Sequence, residues 1–202
     1  MGLVETGARV FGVEPNGDMR REMERSAPQV VGLPTTAENT WLTSRSIDLV
    51  TCAQSFHWFD FGAARREFLR ILRPDGWVAL VWNERLDDAT PFMVGYQKAL
   101  EAYCPDYANA RHRERSEDDL RAFFLPFEMR VASFPNEQRL DFEGLVGRSL
   151  SSSYAPLEGE PEHAAFIGAL KSLFGEFSVE GVVSFPYSTR VYYGRLVSDE
   201  TE

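Results

Sequence analysis

This sequence predicts an α/β fold built on a Rossmann-like, doubly wound sheet, and three observations predict it. Short apolar runs recur at Ala8–Val13 (ARVFGV), Ile47–Ala53 (IDLVTCA) and Trp77–Trp82 (WVALVW), the pattern of strands covered on both faces. Between them lie segments whose apolar residues recur at helical spacing. A strand–helix–strand rhythm of this kind requires crossovers, hence a parallel sheet with right-handed connections.

Ala8–Val13 enters Glu14-Pro15-Asn16-Gly17, a strand ending at a loop. Asn16 is suited to cap the next helix, on which Met19, Met23 and Ala27 share a face. Pro28 stops that helix, Gln29–Leu33 is a short strand, and a polar loop runs through Thr36, Ala37, Glu38 and Asn39. After Ile47–Ala53, Asp60 caps a helix bearing Phe61, Ala64, Phe68, Ile71 and Leu72 on one side. Leu72-Arg73-Pro74-Asp75-Gly76 reads as a proline–glycine turn before the strand Trp77–Trp82.

Beyond Trp82 the rhythm loosens. Phe92, Tyr96, Leu100 and Tyr103 mark one helix, and Ser116 with Asp119 opens another carrying Leu120, Phe123 and Phe124. Phe127–Phe134 alternates apolar and polar residues, as a strand with one wet face does. Helices are predicted over Phe142–Leu150 and Glu162–Phe177. Two strands, Val182–Phe185 and Thr189–Leu196, follow, with Pro186 between them marking a bulge or a sheet edge. The acidic tail Ser198–Glu202 is expected to fray.

Composition narrows the function. At 202 residues with 44% hydrophobic and 26% charged content, the chain suits one α/β domain, residues 1–202, with helical cap insertions at about 90–125 and 140–178. A formal charge of -10 argues against a nucleic-acid or anionic-membrane surface. The densest basic cluster, Arg111, Arg113 and Arg115, is interleaved with acids and reads as solvated and self-paired. Two cysteines, Cys52 and Cys104, match no metal-binding spacing, and a reducing cytoplasm is the simplest setting. No apolar run approaches the ~20 residues of a membrane helix, and no secretion signal opens the sequence.

The segments GVEPNGDM, TAEN, SIDLVTCAQSFHWFD, FLRILRPDGWVALVWN and FPYSTRVYYGRL together resemble the class I S-adenosylmethionine-dependent methyltransferases, in their small-molecule, ubiquinone and menaquinone biosynthesis-like branch. The resemblance implies a sheet in the order 3-2-1-4-5-7-6 with the last strand antiparallel. It makes Ala8–Val13 strand two, Gln29–Leu33 three, Ile47–Ala53 four, Trp77–Trp82 five, Phe127–Phe134 six and Thr189–Leu196 seven. It also implies S-adenosylmethionine as cofactor and a small-molecule methyl acceptor.

Beside the resemblance stand physical reasons for particular residues. A carboxylate just past a strand's carboxyl end accepts both hydrogen bonds of a ribose diol, and Glu14 is so placed; otherwise it is a loop acid near the Asn16 cap. Ala37 and Glu38 either flank the adenine or form a plain polar turn. Gln54, Phe56 and His57 leave the carboxyl end of a strand, where open α/β sheets bind ligands. Phe56, Trp58 and Phe59 form either an aromatic wall beside the sulfonium or core beneath the cap. His57 is a general base for the acceptor or a satisfied loop histidine.

The sequence also departs from the pattern. Met1–Thr6 precede Gly7, which reads as the cap ending a helix, and neither strand one nor a G-x-G-x-G loop is present. Strand one is central in the family, so the chain is expected to close the gap by pairing strands two and four, to borrow from another copy as a homodimer, or else to be a fragment of a longer protein. Cofactor affinity is expected to be impaired. The expected function is a small-molecule methyltransferase. A catalytically inactive protein of the same fold, serving as an assembly or regulatory subunit, is the alternative. A nucleotide-dependent dehydrogenase also uses a carboxylate after strand two, but the LRPDG turn and the antiparallel ending argue against it. Aromatic residues of the cap segments (Phe92, Tyr96, Tyr103, Tyr154 and Phe166) suit a flat or apolar acceptor and also serve as core.

Overall fold

A computed structural model of the chain describes residues 2–108 and 116–196. The basic cluster at Arg111, Arg113 and Arg115 and the tail from Ser198 lie outside the described residues. A short helix α1 (Gly2–Glu5) ends as its glycine predicts: Gly7 takes φ 80° and its N–H donates to the Val4 carbonyl at 3.0 Å. Strand β1 (Phe11–Val13) leads to α2 (Gly17–Ser26), whose first turn is capped by the Asn16 side chain accepting from Asp18 N at 2.9 Å and Met19 N at 3.1 Å. Strand β2 (Val31–Leu33) pairs parallel with β1, Phe11 opposite Val31 and Val13 opposite Leu33. Gly12 leaves room for the Met23 thioether of α2 to lie directly over β1.

Strand β3 (Ile47–Ala53) is followed by a 3-10 turn at Phe56–Trp58 and by α3 (Phe61–Ile71), whose cap Asp60 accepts from Ala63 N at 2.7 Å. Then come β4 (Leu72–Arg85), α4 (Pro91–Tyr103), α5 (Glu117–Phe124), β5 (Arg130–Leu140), α6 (Phe142–Leu150), α7 (Pro161–Phe177) and β6 (Val183–Arg195). Among the described residues the strands form a two-stranded sheet, β1-β2, and a four-stranded sheet in the order β3-β4-β6-β5, so the expected direct pairing of strands two and four, here β1 and β3, is not formed. No helix of the described residues is long and apolar enough to cross a membrane.

The chain gathers into two compact units. Unit 1 comprises residues 1–80, 118–130 and 193–202; unit 2 comprises 81–117 and 131–192. The core of unit 1 is aromatic: Phe123 of α5 meets Phe56 at 4.8 Å and Phe61 at 5.2 Å, edge to face in both cases. In unit 2, α4 packs on α7 so closely that Leu173 occupies the space a Cβ on Gly95 would need. Phe166 and Leu170 are fully buried there, while Leu173 and Phe174 pack against the same cluster, so these four residues form a single core face of α7. Of the expected cap segments, α4, α6 and α7 lie in unit 2, whereas α5 from Asp118 onward lies in unit 1.

Three expectations from the sequence are corrected. The strand expected at Trp77–Trp82 is longer: the backbone turns extended at Leu72 (φ -68°, ψ 142°), directly after α3, and β4 runs from there. The chain still bends through LRPDG, where a Cβ on Gly76 would meet the Arg73 carbonyl at 3.0 Å. Gly76 allows this, since a Cβ there would meet the Ile47 carbonyl at 3.2 Å. Val182–Phe185 and Thr189–Leu196 are not two strands but one, β6, which passes through Pro186. Proline removes only a donor; the Pro186 carbonyl still accepts from Leu86 N at 3.1 Å. Finally, β3 is apolar yet not covered on both faces. It is the edge of its sheet, Leu49 is 40% exposed, and Cys52 is the one buried residue of the strand.

Candidate functional site

Local chain geometry collects the predicted site residues in unit 1. Because β1 and β2 run parallel with Val13 opposite Leu33, both strands end on the same side. The Glu14 N–H extends the ladder by one more bond, to the Leu33 carbonyl at 3.1 Å. Glu14 is half-buried; its Oε1 accepts from Asn16 N at 2.8 Å, and its carbonyl accepts from Arg20 Nη1 at 2.9 Å. Its Oε2 makes no hydrogen bond among the described residues. The acid thus takes part in the loop and leaves its second oxygen unengaged.

Ala37 and Glu38 are the two tip residues of a tight turn closed by the Thr36–Asn39 bridge and braced by the Thr35 hydroxyl on the Asn39 carbonyl. Both are half-buried. Glu38 Oε1 accepts from Asp60 N at 3.0 Å, which ties the loop after β2 to the start of α3. A second tie comes from Thr40: its N–H and hydroxyl reach Glu67 Oε1 of α3 at 2.8 and 2.6 Å. Two salt-bridge bonds from Arg70, at 2.7 and 2.8 Å, complete the coordination of Glu67. The Arg70 fork, aided by the Thr40 donors, holds the Glu67 carboxyl down at about 2.

Gln54 follows β3 in left-handed backbone (φ 53°) and is exposed. Phe56 is 1% exposed, with its ring among Phe59, Phe61 and Phe123, so its side chain belongs to the core. Trp58, expected as core or wall, is 63% exposed, because the 3-10 turn points Phe56 inward and carries Trp58 outward. His57 is half-buried, its ring 4.9 Å from that of Trp58. Burial pushes the Cys52 thiol up to about 12, which leaves it an inert core group. Glu14, the Ala37–Glu38 turn and the Gln54–His57 segment are therefore linked through Leu33 and Asp60, with Phe56 serving from behind.

The aromatic residues expected around an acceptor lie in unit 2. Phe92, Tyr96 and Phe166 are buried in its core, with Tyr103 and Tyr154 packed partly buried against it. Sequence reasoning missed the cations beside them. Arg85, with a side chain 10% exposed, pairs with Asp87 and donates to Gln97 Oε1 at 2.9 Å and the Tyr107 hydroxyl at 2.8 Å. Arg148 of α6 donates to the Tyr187 hydroxyl at 3.3 Å and the Ser152 hydroxyl at 3.2 Å. In the sequence, Arg85 only follows the apolar run Trp77–Trp82 by three residues and Arg148 only falls within the predicted helix Phe142–Leu150, placements that surface arginines share.

Residues 1–80 match the methyltransferase domain family. An uncharacterised methyltransferase of Mycobacterium tuberculosis is 43% identical over 83 residues, 41% of this chain and 34% of that protein. A methyltransferase-like protein of Schizosaccharomyces pombe is 36% identical over 97 residues, 48% of this chain and 38% of its own length. The matched part thus spans little more than a third of these curated relatives. Among solved structures, one assigned as a type II methyltransferase from Anaeromyxobacter dehalogenans superposes with a TM-score of 0.66 at 22% identity. It covers 98% of this chain and 84% of that one. Another, assigned to an antibiotic biosynthesis pathway in Anabaena variabilis, gives 0.61 at 21% identity, covering 96% and 85%.

Proposed function

We propose, from the match of residues 1–80 to the methyltransferase domain family, that the chain carries the ribose and adenine side of an S-adenosylmethionine site in a small-molecule methyltransferase. The observation that carries the proposal is the half-buried Glu14 carboxylate with an unengaged oxygen at the common end of two parallel strands. A diol needs two acceptors side by side, and a carboxylate so placed supplies them.

The donor set fits. Glu14 accepts the ribose hydroxyls. The Ala37–Glu38 turn, fixed by Asp60, offers the second Glu38 oxygen to the adenine amine. Gln54 and the face of the 3-10 turn border the same end. S-adenosylmethionine bound there would supply a sulfonium methyl group to an acceptor lone pair. His57 takes the proton that an O–H or N–H acceptor releases. A cytoplasmic setting, in which the buried thiols of Cys52 and Cys104 stay reduced, belongs to the same proposal.

5′-Methylthioadenosine tests the reading, since it keeps the adenosine thioether and lacks the amino-acid part. Saturation-transfer NMR on this chain is expected to light the ribose and adenine protons, with displacement by S-adenosylhomocysteine. Glu14→Gln halves the acceptor capacity and removes the charge, so binding should weaken by about tenfold or more. Equal binding to wild type and variant, or no saturation of the ribose protons, would overturn the assignment.

A further inference from the structure

Arg148 presents an unexplained charge. It is half-buried in the last turn of α6, and its two hydrogen-bond partners, the Tyr187 and Ser152 hydroxyls, are neutral. Its Nη2 amino group makes no hydrogen bond among the described residues. Since no fully buried side-chain nitrogen or oxygen is left without a partner, that amino group must reach solvent. The nearby cation Arg85 is different: Asp87 neutralises it.

The groups around Arg148 cannot serve as its counter-charge. The Tyr187 hydroxyl donates onward to Gln138 Oε1 at 3.0 Å. Tyr96 and Tyr154 are both close enough to feel the Arg148 charge. Burial pushes the Tyr96 phenol up to about 12, so at neutral pH it is a hydroxyl donating to Ser149 Oγ at 3.1 Å. Ser149 in turn donates to the Leu145 carbonyl at 2.7 Å. Tyr187, Tyr96 and Ser149 are thus each oriented by a bond of their own, and the guanidinium is left with an open amino group beside aromatic rings.

We propose that unit 2 binds a small aromatic or otherwise flat molecule bearing a carboxylate, with the Arg148 guanidinium receiving the carboxylate and the half-buried Tyr154 ring beside its plane. A guanidinium fork matches a carboxylate in geometry and charge, and half-burial strengthens the pairing. Taken with the methyltransferase reading, that molecule is the methyl acceptor; the binding site itself does not depend on that reading. The bland account is that Arg148 complements the negative end of α6. Such a role involves no ligand.

Benzoate and its neutral isostere benzamide separate the two accounts without any cofactor, so a failed cofactor site would not affect the result. Titrations of the 202-residue chain are followed on the Arg148 Nε–Hε resonance, assigned in the wild-type chain by through-bond correlation to the Arg148 backbone. Benzoate is expected to shift this resonance and benzamide to leave it in place. Arg148→Gln should weaken benzoate binding by about tenfold or more, and Arg148→Lys should recover part of it by restoring the charge without the fork. An Arg148 resonance unmoved by benzoate, moved equally by benzamide, or a benzoate affinity unchanged in Arg148→Gln would overturn the proposal. Reading the wild-type resonance keeps the test valid even where a variant folds poorly.

Discussion

Glu67 is nearly buried, and its carboxylate is fully coordinated by the Thr40 N–H and hydroxyl and by two Arg70 nitrogens. A folded-state carboxyl held near 2 against an ordinary 4.5 stabilises the protein above the unfolded pKa. That contribution fades as pH falls from about 4.5 toward 2. Glu67→Gln is therefore expected to cost about 2 kcal/mol at pH 7 and close to nothing near pH 2, measured by urea titration at both values. The sequence reading passed over this residue, because Thr40 lies 27 positions away and no local pattern joins them. It found Asn16 and Asp60, whose cap bonds close within three residues. Glu14 and Glu38 were legible for the same reason, since each directly follows a strand or sits in a turn. Arg148 was not, as its significance lies in partners brought by β6 and the chain beyond α6.

Among the elements, helices were the more legible class: α6 spans the predicted Phe142–Leu150 and α7 begins one residue early, at Pro161. Strand limits were less so, because pairing with a neighbour rather than local composition decides where a ladder stops. Hence β4 starts at Leu72 and β6 runs unbroken through Pro186. One β6 position allows a sharp test. A Cβ on Gly194 would meet the Glu128 carbonyl at 2.8 Å and Phe124 Cδ1 at 2.9 Å. Neither a backbone oxygen nor a buried ring yields cheaply, so Gly194→Ala should destabilise by about 1–3 kcal/mol, seen as a lower urea midpoint.

At the scale of the whole molecule, 31 acidic residues against 21 basic ones leave a net charge of -10, and self-repulsion opposes compaction. Raising sodium chloride from 20 to about 300 mM screens that repulsion. We expect the thermal midpoint to rise by roughly 2–4 °C, equivalent to about 1 kcal/mol at this length; a midpoint that falls would show that attractive ion pairs outweigh it. Each unit is assembled from separated stretches of chain, and both take residues from β6: Tyr192 belongs to unit 2 and Tyr193 to unit 1. On the ribosome this has a kinetic meaning. The nascent chain emerges from its amino end, so neither unit can close until β6 has left the exit tunnel. Through most of translation, β3 and β4 wait without their last strand, and the apolar surface they expose is work for chaperones.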